Sequence, residues 1–371
     1  MRPPRMGNGR DALGPLRPCG FASLRQPDAC GAGESCASIG PTPFSVEREL
    51  DPPANESMPK WPNAIGDATA NCQLPTTNSS LMNLTSPSQV KDWCIRNKFH
   101  PNRVLGQNFL IDKNALDAIL DAAEIESGVR CLEIGPGLGV LTEGLLSRGC
   151  AVTAIEKDPV LADRLKGALG NPEGLTVLAG DALDFIKRGA CDGFPLMVSN
   201  LPYQAGTRIL IELAERVCPC APSVERELDP PSNAIANRKS QIANSPPETM
   251  VALVQTEVAE RLAAHEGSKV RGLAGVRVQF DYDVSIVRKV SASCFWPRPE
   301  IGSTVVKLVR HHRNDGEGAD VRRVFRMLTK QAFEHRRKQL GSIFKGVIES
   351  SARAEDLSNE EWLELSRNIE L

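Results

Sequence analysis

The stretch Arg130-Cys-Leu-Glu-Ile-Gly-Pro-Gly-Leu-Gly139 decides the fold of this chain of 371 residues. Its first five residues have the length and the apolar centre of a buried strand, and a glycine-rich turn follows at once. Glycines at such a juncture let the backbone approach a ligand closely and open a helix, here predicted from Leu141 to Arg148, whose N-terminal amides face that ligand. A second strand, Ala151 to Ile155, ends in Glu156, which lies 21 residues beyond Gly135. That distance suits a strand-helix-strand unit that brings a carboxylate to a ribose diol, which predicts a nucleotide-binding α/β fold.

Two further apolar strands end in polar residues and extend this pattern. The first, Leu175 to Ala179, runs into Gly180-Asp181, and the second, Leu196 to Asn200, runs into Leu201-Pro-Tyr203. Ligands of an open α/β sheet bind at the carboxyl ends of its strands. An acid beyond the ribose-binding one suits an adenine amine that needs an acceptor, although a surface Gly-Asp turn would look the same.

The tetrapeptide Asn200-Leu-Pro-Tyr203 has the groups that a reaction at the exocyclic amine of a nucleobase requires. The nitrogen lone pair of such an amine is delocalised into the ring, so attack requires that the two N–H groups be held and the lone pair be turned outward. The Asn200 side-chain oxygen and the Leu201 carbonyl can hold them, and Pro202 supplies no competing backbone donor. Tyr203 offers a flat face on which a base can stack. The alternative is a buried strand that ends in an ordinary Asn-x-Pro turn.

The composition is that of a globular intracellular protein. The chain is 41% hydrophobic and 24% charged with a net charge of −2, so any surface for nucleic acid must be local. Its 11 cysteines include no CxxC pair, and the CxC at Cys218 and Cys220 has no neighbouring histidine pair, so we expect reduced thiols and no metal. There is no apolar leader and no run of transmembrane length, so we expect a soluble cytoplasmic protein without a membrane partner. We further expect a monomer.

Composition divides the chain into three predicted parts. Residues 1–85 are predicted to be a disordered extension, because residues 1–81 carry 12 of the 27 prolines and no sustained apolar period. Residues 86–310 are predicted to form the catalytic domain, with a surface insertion at 219–247, and residues 311–371 to form a small helical domain. The nonapeptide Ser45-Val-Glu-Arg-Glu-Leu-Asp-Pro-Pro53 recurs as Ser223 to Pro231. A single short repeat is no structural unit, so our hypothesis is that both copies are inserted sequence and that the native start is Met82.

After the insertion, strand patterns resume. Met250 to Gln255 and Thr304 to Val309 are predicted strands, and alternating segments around Val276 to Phe280 and Asp283 to Val290 lie between them. Phe295 precedes two prolines in a predicted loop. Its ring either stacks on a base as a second aromatic contact or packs in the hydrophobic core.

The segment from Val321 to Lys338 combines helical spacing with an excess of positive charge. Seven cations stand against Glu334 alone, which gives this window a net charge of +6 in a chain whose total is −2. Such an excess favours a phosphate backbone as partner, and a solvated helix face is the alternative. The residues predicted to contact that backbone are Arg322, Arg323, Arg326, Arg336, Arg337 and Lys338.

Seven motifs, taken in order, resemble the KsgA family, the adenine dimethyltransferases of small-subunit ribosomal RNA. They are Gly-Gln-Asn-Phe-Leu from Gly106, Leu-Glu-Ile-Gly-Pro-Gly-Leu-Gly from Leu132, Ile-Glu-Lys-Asp from Ile155, Gly-Asp-Ala from Gly180, Asn-Leu-Pro-Tyr from Asn200, Phe-x-Pro-x-Pro-x-x-x-Ser from Phe295 and Arg-Arg-Lys from Arg336. The resemblance covers the chain from about residue 88 to its C-terminus, and the agreement of spaced motifs in order makes it specific.

The resemblance implies a class I methyltransferase that uses S-adenosylmethionine. The implied fold is a Rossmann-like α/β domain with a seven-stranded, mostly parallel sheet, followed by a small all-α domain that helps to grip RNA. Glu156 would bind the cofactor ribose, Asp181 its adenine, and Asn200 would stand where both substrates meet. Carried over residue by residue, the cofactor-binding positions are Asn108, Leu110, Gly135, Glu156, Asp181 and Asn200.

The resemblance also implies a target and its catalytic residues. Tyr203 and Phe295 would sandwich the target adenine, while Asn200 and Leu201 hold its amine. The expected product is N(6),N(6)-dimethyladenine at two neighbouring adenines near the 3′ end of small-subunit rRNA, free or in a 30S precursor, with a role in subunit biogenesis. The sequence departs from the family at Val270-Arg271-Gly272, where Lys-Tyr-Gly is common, and at Glu300, where a basic residue is frequent. These departures concern the approach of the RNA rather than the cofactor pocket.

Three alternatives stay open at this point. A large-subunit rRNA methyltransferase of the erythromycin-resistance type shares the pocket but usually carries Asn-Ile-Pro-Tyr, so Leu201 and Gly106 favour the small subunit. A mainly non-catalytic factor in ribosome assembly is disfavoured by the complete set of pocket residues, although the two roles can coexist. A nicotinamide dehydrogenase would leave Asn-Leu-Pro-Tyr and the basic helix unexplained.

Overall fold

The part of the chain that the structure describes, residues 83–102, 105–216 and 245–369 of a computed structural model, has an α/β fold. In chain order its strands are β1 (Phe109–Leu110), β2 (Arg130–Ile134), β3 (Ala151–Glu156), β4 (Leu175–Ala179), β5 (Leu196–Asn200), β6 (Thr249–Gln255), β7 (Tyr282–Val290), β8 (Phe295–Trp296) and β9 (Ser303–Arg310). Its helices are α1 (Pro87–Arg96), α2 (Lys113–Ala122), α3 (Val140–Ser147), α4 (Pro159–Ala168), α5 (Ala182–Lys187), α6 (Gly206–Ala214), α7 (Thr256–Leu262), α8 (Leu273–Val278), α9 (Ala319–Glu334), α10 (Leu340–Ile343) and α11 (Asn359–Arg367).

The central sheet has seven strands in the order β4-β3-β2-β5-β6-β9-β7. The five strands from β4 to β6 are parallel, and β9 lies antiparallel between β6 and β7. A separate two-stranded antiparallel sheet consists of β1 and β8. This topology confirms the predicted Rossmann-like fold with a mostly parallel sheet of seven strands. Because parallel strands end at the same edge, the carboxyl ends of β2, β3, β4 and β5 meet along one side of the sheet.

Strand prediction succeeds best where an apolar run is bounded by glycine or polar residues. The strands β2, β4 and β5 have the predicted ends, and β3 extends one residue further to include Glu156. The segment Val276–Phe280 is different, because it holds the end of helix Leu273–Val278 instead of an extended chain. Val276 and Phe280 are 0% and 3% exposed, and a spacing of four residues fits one face of a helical turn as well as it fits alternation.

Three groups of buried side chains hold the layers together. Neighbouring residues of one strand, such as Met197 and Val198, belong to different groups, so the first two groups lie on opposite faces of the central sheet. The third group joins the C-terminal helices around Trp362 and includes Val276 and Phe280. The helices beyond residue 310 therefore share a core with residues that precede it, and the predicted domain boundary at that residue stays a prediction.

One residue of the predicted N-terminal extension packs in the core. Leu84 is 5% exposed and packs in the core, so ordered packing includes this residue of the predicted extension 1–85. The remainder of that extension up to residue 82, the predicted start Met82 and both copies of the nonapeptide lie outside the described residues. The same is true of the predicted insertion 219–247 apart from its last three residues, 245–247.

The two chain ends that flank residues 217–244 are held next to each other. Arg216 donates from Nη2 to an Asp192 carboxylate oxygen at 2.8 Å, and the Gly193 amide donates to the Ser245 carbonyl at 2.9 Å. Since Asp192 and Gly193 are consecutive, both ends meet at one loop. That loop precedes β5, so it lies at the amino edge of the parallel strands, opposite the edge where the strands end.

We expect residues 217–244 to be dispensable for folding. A Gly-Ser linker of about eight residues spans a short gap at little entropic cost, so its replacement of this segment should shift the midpoint of thermal unfolding by less than about 3 °C. Melting followed by circular dichroism measures the midpoint. As a control, Asp192→Ala in the shortened protein removes the ionic partner of Arg216 and should lower the midpoint further. A collapse caused by the linker alone would show that the segment supports the fold.

Candidate functional site

A cavity opens at the edge where the strands of the parallel sheet end. Side chains and backbone from the ends of β2, β3 and β5 line it, together with the segment around β1. It contains the six residues predicted to bind the cofactor, which are Asn108, Leu110, Gly135, Glu156, Asp181 and Asn200. Residues 92 positions apart in sequence, such as Asn108 and Asn200, are thereby brought into one site.

Glu156, at the end of β3, is a buried acceptor in this cavity. The side chain accepts from the Gly137 amide at 3.0 Å and from the Asp158 amide at 2.9 Å, and the residue is 6% exposed. Burial raises the pKa of this carboxyl, while the backbone hydrogen bonds oppose that rise. Gly137 has φ +58°, and a Cβ there would lie 3.1 Å from the Phe109 ring, so glycine is needed where the loop meets β1.

Asp181, which follows β4, is a charged acceptor at the same cavity. The Lys157 ammonium donates to it at 2.8 Å, and the second carboxylate oxygen caps helix α5 by accepting from the Leu183 amide at 2.9 Å. The hydrogen bond from Lys157 lowers the pKa of Asp181 below its ordinary value. Sequence reasoning gave Lys157 no role, although it stands within the Ile-Glu-Lys-Asp motif.

Asn200 ends β5 with its side chain held at one end. Its Nδ2 donates to the Asn108 carbonyl at 3.2 Å, so the amide oxygen is the end that can accept from a ligand. Leu201 follows with a side chain that is 2% exposed and an amide that donates to the Leu253 carbonyl at 3.1 Å. Any contribution of Leu201 to a ligand therefore comes from its backbone.

Two glycines clamp the Asn-Leu-Pro-Tyr turn. Gly106 has φ +68°, and a Cβ there would lie 3.3 Å from the Tyr203 amide nitrogen. Gly135 has φ +71°, and a Cβ there would lie 3.8 Å from the Asn200 carbonyl oxygen. The loops before β1 and after β2 thus meet the turn through their main chains, and both positions require glycine.

Tyr203 lies beside the cavity rather than in its lining. Its neighbours Pro202 and Gln204 line the cavity, whereas the Tyr203 ring is half-buried and its hydroxyl lies 2.7 Å from Ser303 Oγ. Desolvation of the Tyr203 hydroxyl raises its pKa. The residue is therefore placed at the rim, next to Asn200.

Phe295 is not brought to the cavity. It is 3% exposed, packs in the core and pairs through β8 with Leu110. This placement favours the core role that the sequence left open for its ring. The stacking role of Phe295 stays a prediction that would require the ring to leave this packing.

Arg322 is a correction to the predicted phosphate-contacting set. Its side chain is 5% exposed, and its guanidinium donates to the buried Asp281 carboxylate at 2.8 and 3.1 Å and to the Asn314 carbonyl at 2.6 Å. The guanidinium carbon also lies 5.0 Å from the centroid of the Phe280 ring. Because these partners occupy it inside the fold, Arg322 cannot contact a phosphate.

The other predicted cations differ in their exposure. Arg323 has a 62% exposed side chain that pairs with Asp320 at 3.1 Å, and Arg326 is half-buried. Arg336 is held by the Glu355 carboxylate and by the Lys269 carbonyl. Within the segment from Val321 to Lys338, the exposed cations that form no ion pair with a described residue are Arg337, Lys338 and the further cation Lys330.

Two further residues of the cavity escaped sequence reasoning. Gln107 donates to Asp158 Oδ2 at 2.8 Å and accepts from the Asn102 amide at 2.7 Å, which ties the segment before β1 to the loop after β3. Glu133 is 1% exposed and accepts from Thr142 Oγ1 at 2.7 Å. Burial raises the pKa of the Glu133 carboxyl to about 8. Both residues lie within motifs shared with the family, which is the signal that the sequence offers, but the sequence does not show their hydrogen-bond partners.

The described residues contain no cluster of three or more His, Cys, Asp or Glu side chains arranged to hold a metal ion. Within the same residues, no helix is both long enough and apolar enough to cross a membrane.

The buried Glu133 predicts a pH dependence of stability. Because its folded-state pKa is near 8 and its ordinary value is 4.5, the folded protein binds this proton more tightly than the unfolded chain does. Stability is therefore lost as the pH rises from about 4.5 to about 8. We expect Glu133→Gln, whose amide oxygen still accepts from Thr142, to remove a loss on the order of 3 kcal/mol between about pH 5 and about pH 8.

Urea unfolding at the two pH values, for the unaltered protein and the variant, measures this difference. Glu143→Gln, at an exposed glutamate of helix α3, is the matched control and should leave the pH dependence as it is. Equal pH dependence in the unaltered protein and Glu133→Gln would mean that Glu133 does not hold a proton in the folded state.

Comparison with known proteins identifies a family. Residues 98–366 match the family described as ribosomal RNA adenine dimethylase. The ribosomal RNA small subunit methyltransferase A of Synechocystis sp. is 34% identical over 296 residues, which cover 72% of this chain and 96% of the relative. The protein of the same name from Chlamydia felis is 32% identical over 305 residues, which cover 78% of this chain and 98% of the relative.

Two solved structures share the fold. A dimethyladenosine transferase from Plasmodium falciparum superimposes with a TM-score of 0.54 at 23% identity, covering 69% of this chain and 95% of that one. The 23S rRNA methyltransferase ErmE superimposes with a TM-score of 0.50 at 21% identity, covering 70% of this chain and 99% of that one. At these identities the likeness supports the fold alone. The match over residues 98–366 confirms the resemblance carried by the seven motifs, and the chain belongs to the ribosomal RNA adenine dimethylase family.

Proposed function

We propose that this protein is an S-adenosylmethionine-dependent enzyme that dimethylates the exocyclic amines of two neighbouring adenines near the 3′ end of small-subunit rRNA. The observation that carries the proposal is the position of Asn200, which lines one cavity with Glu156 and Asp181. An amide able to hold an amine thus borders a pocket with two acidic acceptors. The relatives named ribosomal RNA small subunit methyltransferase A support this choice of substrate.

The donor set of the cavity suits S-adenosylmethionine. Glu156 accepts one backbone amide at each oxygen, so each oxygen keeps a lone pair for a ribose hydroxyl. The charged Asp181 suits an adenine amine, and Asn108 and Leu110 would line the methionine end. When bound, the cofactor supplies an activated methyl group on a sulfonium, and the protein supplies the positioning.

The Asn-Leu-Pro-Tyr turn would hold the target base. The Asn200 oxygen and the Leu201 carbonyl accept the two amine hydrogens, which turns the nitrogen lone pair toward the methyl group. The Asn108 carbonyl keeps the Asn200 amide in the orientation that this requires. Tyr203 provides a stacking face for a base splayed out of its loop, an interaction of about 1 to 3 kcal/mol per base.

The exposed cations of helix α9 and of the segment that follows it would bind the RNA backbone. Arg323, Arg337 and Lys338 remain on the surface, and such charges favour phosphates in a manner that weakens with salt. In this proposal the partner is small-subunit rRNA, free or in a 30S precursor, and the protein acts in the cytoplasm as a monomer.

The main alternative is methylation of large-subunit rRNA by the same pocket. Primer extension across both rRNAs, from cells with and without the gene, separates the two proposals, because dimethylated adenines stop the polymerase. We expect gene-dependent stops at two neighbouring adenines near the 3′ end of the small-subunit rRNA. Stops confined to the large-subunit rRNA would overturn the proposed substrate, and the absence of stops in both would favour a role in assembly without catalysis.

Asn200→Ala should separate catalysis from cofactor binding. Loss of the amide oxygen removes an acceptor at the reacting amine, so we expect methyl transfer to fall by at least about 100-fold. Glu156→Ala should instead weaken cofactor binding, since it removes the ribose acceptor. Incorporation of labelled methyl groups and calorimetric titration with S-adenosylmethionine measure the two effects. Near-normal turnover of Asn200→Ala would defeat the role assigned to Asn200.

Gly106→Ala should lower turnover through the Tyr203 backbone. Gly106 and Gly267 both have positive φ, at +68° and +75°, so alanine at either should cost about 1 kcal/mol of stability. A Cβ lies 3.3 Å from the Tyr203 nitrogen at Gly106 but meets nothing within 4 Å at Gly267. We expect a loss of turnover of about 10-fold in Gly106→Ala alone. Urea unfolding and turnover of both variants test this, and an equal loss in Gly267→Ala would assign the effect to strain alone.

A further inference from the structure

A hydroxyl on β9, which only β6 separates from β5 in the central sheet, lies next to the Tyr203 hydroxyl. Ser303 Oγ lies 2.7 Å from Tyr203 Oη, although the two residues are 100 positions apart in sequence. Ser303 is 1% exposed and opens β9, whereas Tyr203 stands at the cavity rim after β5.

The backbone that carries Ser303 is fixed on every side. In the sheet, Ser303 pairs with Gln255 of β6 and with Val290 of β7. The preceding Gly302 carbonyl accepts from the Thr256 amide at 3.1 Å and from Thr256 Oγ1 at 3.0 Å. These contacts fix the position of the Ser303 backbone, so its hydroxyl can hold a more mobile side chain in place.

The Tyr203 ring is the side chain whose orientation has to be fixed. Its backbone lies in a turn, and the structure shows only partial burial of its ring. Rotation about χ1 would displace the ring, and the hydrogen bond between Tyr203 Oη and Ser303 Oγ opposes that rotation. The bond fixes the long axis of the ring, which runs from Cβ to Oη, and leaves rotation about that axis free.

We propose that Ser303 is a positioning residue for methyl transfer, which holds Tyr203 where the target adenine must stack. The proposal rests on the function proposed above and deepens it, because it adds a residue that touches neither cofactor nor RNA. Burial raises the pKa of Tyr203, so its hydroxyl stays protonated and serves as a tether rather than as a base.

The size of the effect follows from the strength of one hydrogen bond. An ordinary intramolecular hydrogen bond favours the bonded orientation of the Tyr203 ring over its other orientations by about 3- to 10-fold. The rate of methyl transfer should fall by the same factor when the hydrogen bond is lost. The affinity for S-adenosylmethionine should not change, because neither Tyr203 nor Ser303 lines the cofactor cavity.

The test is a double-mutant cycle on methyl transfer to an RNA fragment that contains the 3′ end of small-subunit rRNA. Ser303→Ala and Tyr203→Phe each remove one partner and should each lower kcat by about 3- to 10-fold, with unchanged KM for the cofactor. The double variant should be no slower than either single variant, since both changes delete the same bond. Ser366→Ala is the matched control, because Ser366 is also 1% exposed and its hydroxyl donates to the Trp362 carbonyl at 2.7 Å within helix α11. The kcat of this variant should stay normal.

Each outcome decides the proposal. Normal kcat in Ser303→Ala, or additive losses in the double variant, would overturn it, because Ser303 would then act independently of Tyr203 or not at all. If Ser303→Ala fails to fold, as judged by its thermal midpoint, Tyr203→Phe still keeps the shape of the ring, and normal kcat there overturns the tether. Failure of the proposed function is recognised separately, since the unaltered protein would then transfer no methyl group to this RNA.

Discussion

The close approach of three backbone segments at the end of β5 is the constraint on which the rest of the structure depends. The Asn-Leu-Pro-Tyr turn lies against Gly106 on one side and Gly135 on the other, and a Cβ on these glycines would meet the Tyr203 nitrogen at 3.3 Å and the Asn200 oxygen at 3.8 Å. The positive φ of both glycines disfavours any side chain there, and the contacts are close enough that a shift of the turn would move both loops. Asn200 therefore takes its position from backbone geometry, and the cavity forms around a point that the fold has already fixed.

The acidic residues of the cavity differ in charge, because Glu133 is buried while Asp181 pairs with Lys157. Burial raises the pKa of Glu133 to about 8, so this carboxyl holds a proton at neutral pH, while the ammonium of Lys157 keeps the pKa of Asp181 low. Two buried negative charges, on Glu133 and on Glu156, would be costly side by side without a cation to compensate them. A protonated acid in the interior and a paired carboxylate nearer to solvent avoid that cost. The site can therefore offer several acceptors to a nucleoside and still remain largely apolar.

The sequence predicts a structural feature when the residues that determine it are close together in the chain, and it fails when they are far apart. The ends of β2, β4 and β5 were predictable, because an apolar run and the glycine or polar residue that ends it are neighbours in the chain. The burial of Arg322 was not, since its partner Asp281 lies 41 positions away, and a count of cations reports charge without exposure. For the same reason the sequence motif that contains Ser303 does not reveal the partner of its hydroxyl, because Tyr203 is 100 positions away. For Phe295 the sequence left open whether the ring stacks on a base or packs in the core, since a loop pattern does not reveal what contacts an aromatic ring.

Helix α9 shows how one element carries cations of two kinds. Successive residues of a helix point about 100° apart, so Arg322 faces the core while Arg323 faces solvent, with side chains 5% and 62% exposed. A buried ion pair such as that of Arg322 with Asp281 adds little net stability but penalises any arrangement that leaves either charge unpaired. The pair therefore fixes the rotation of the helix about its own axis. With that rotation fixed, Arg323 points toward solvent. The buried Arg322 thus orients the positive surface proposed to bind RNA, although it does not lie on that surface.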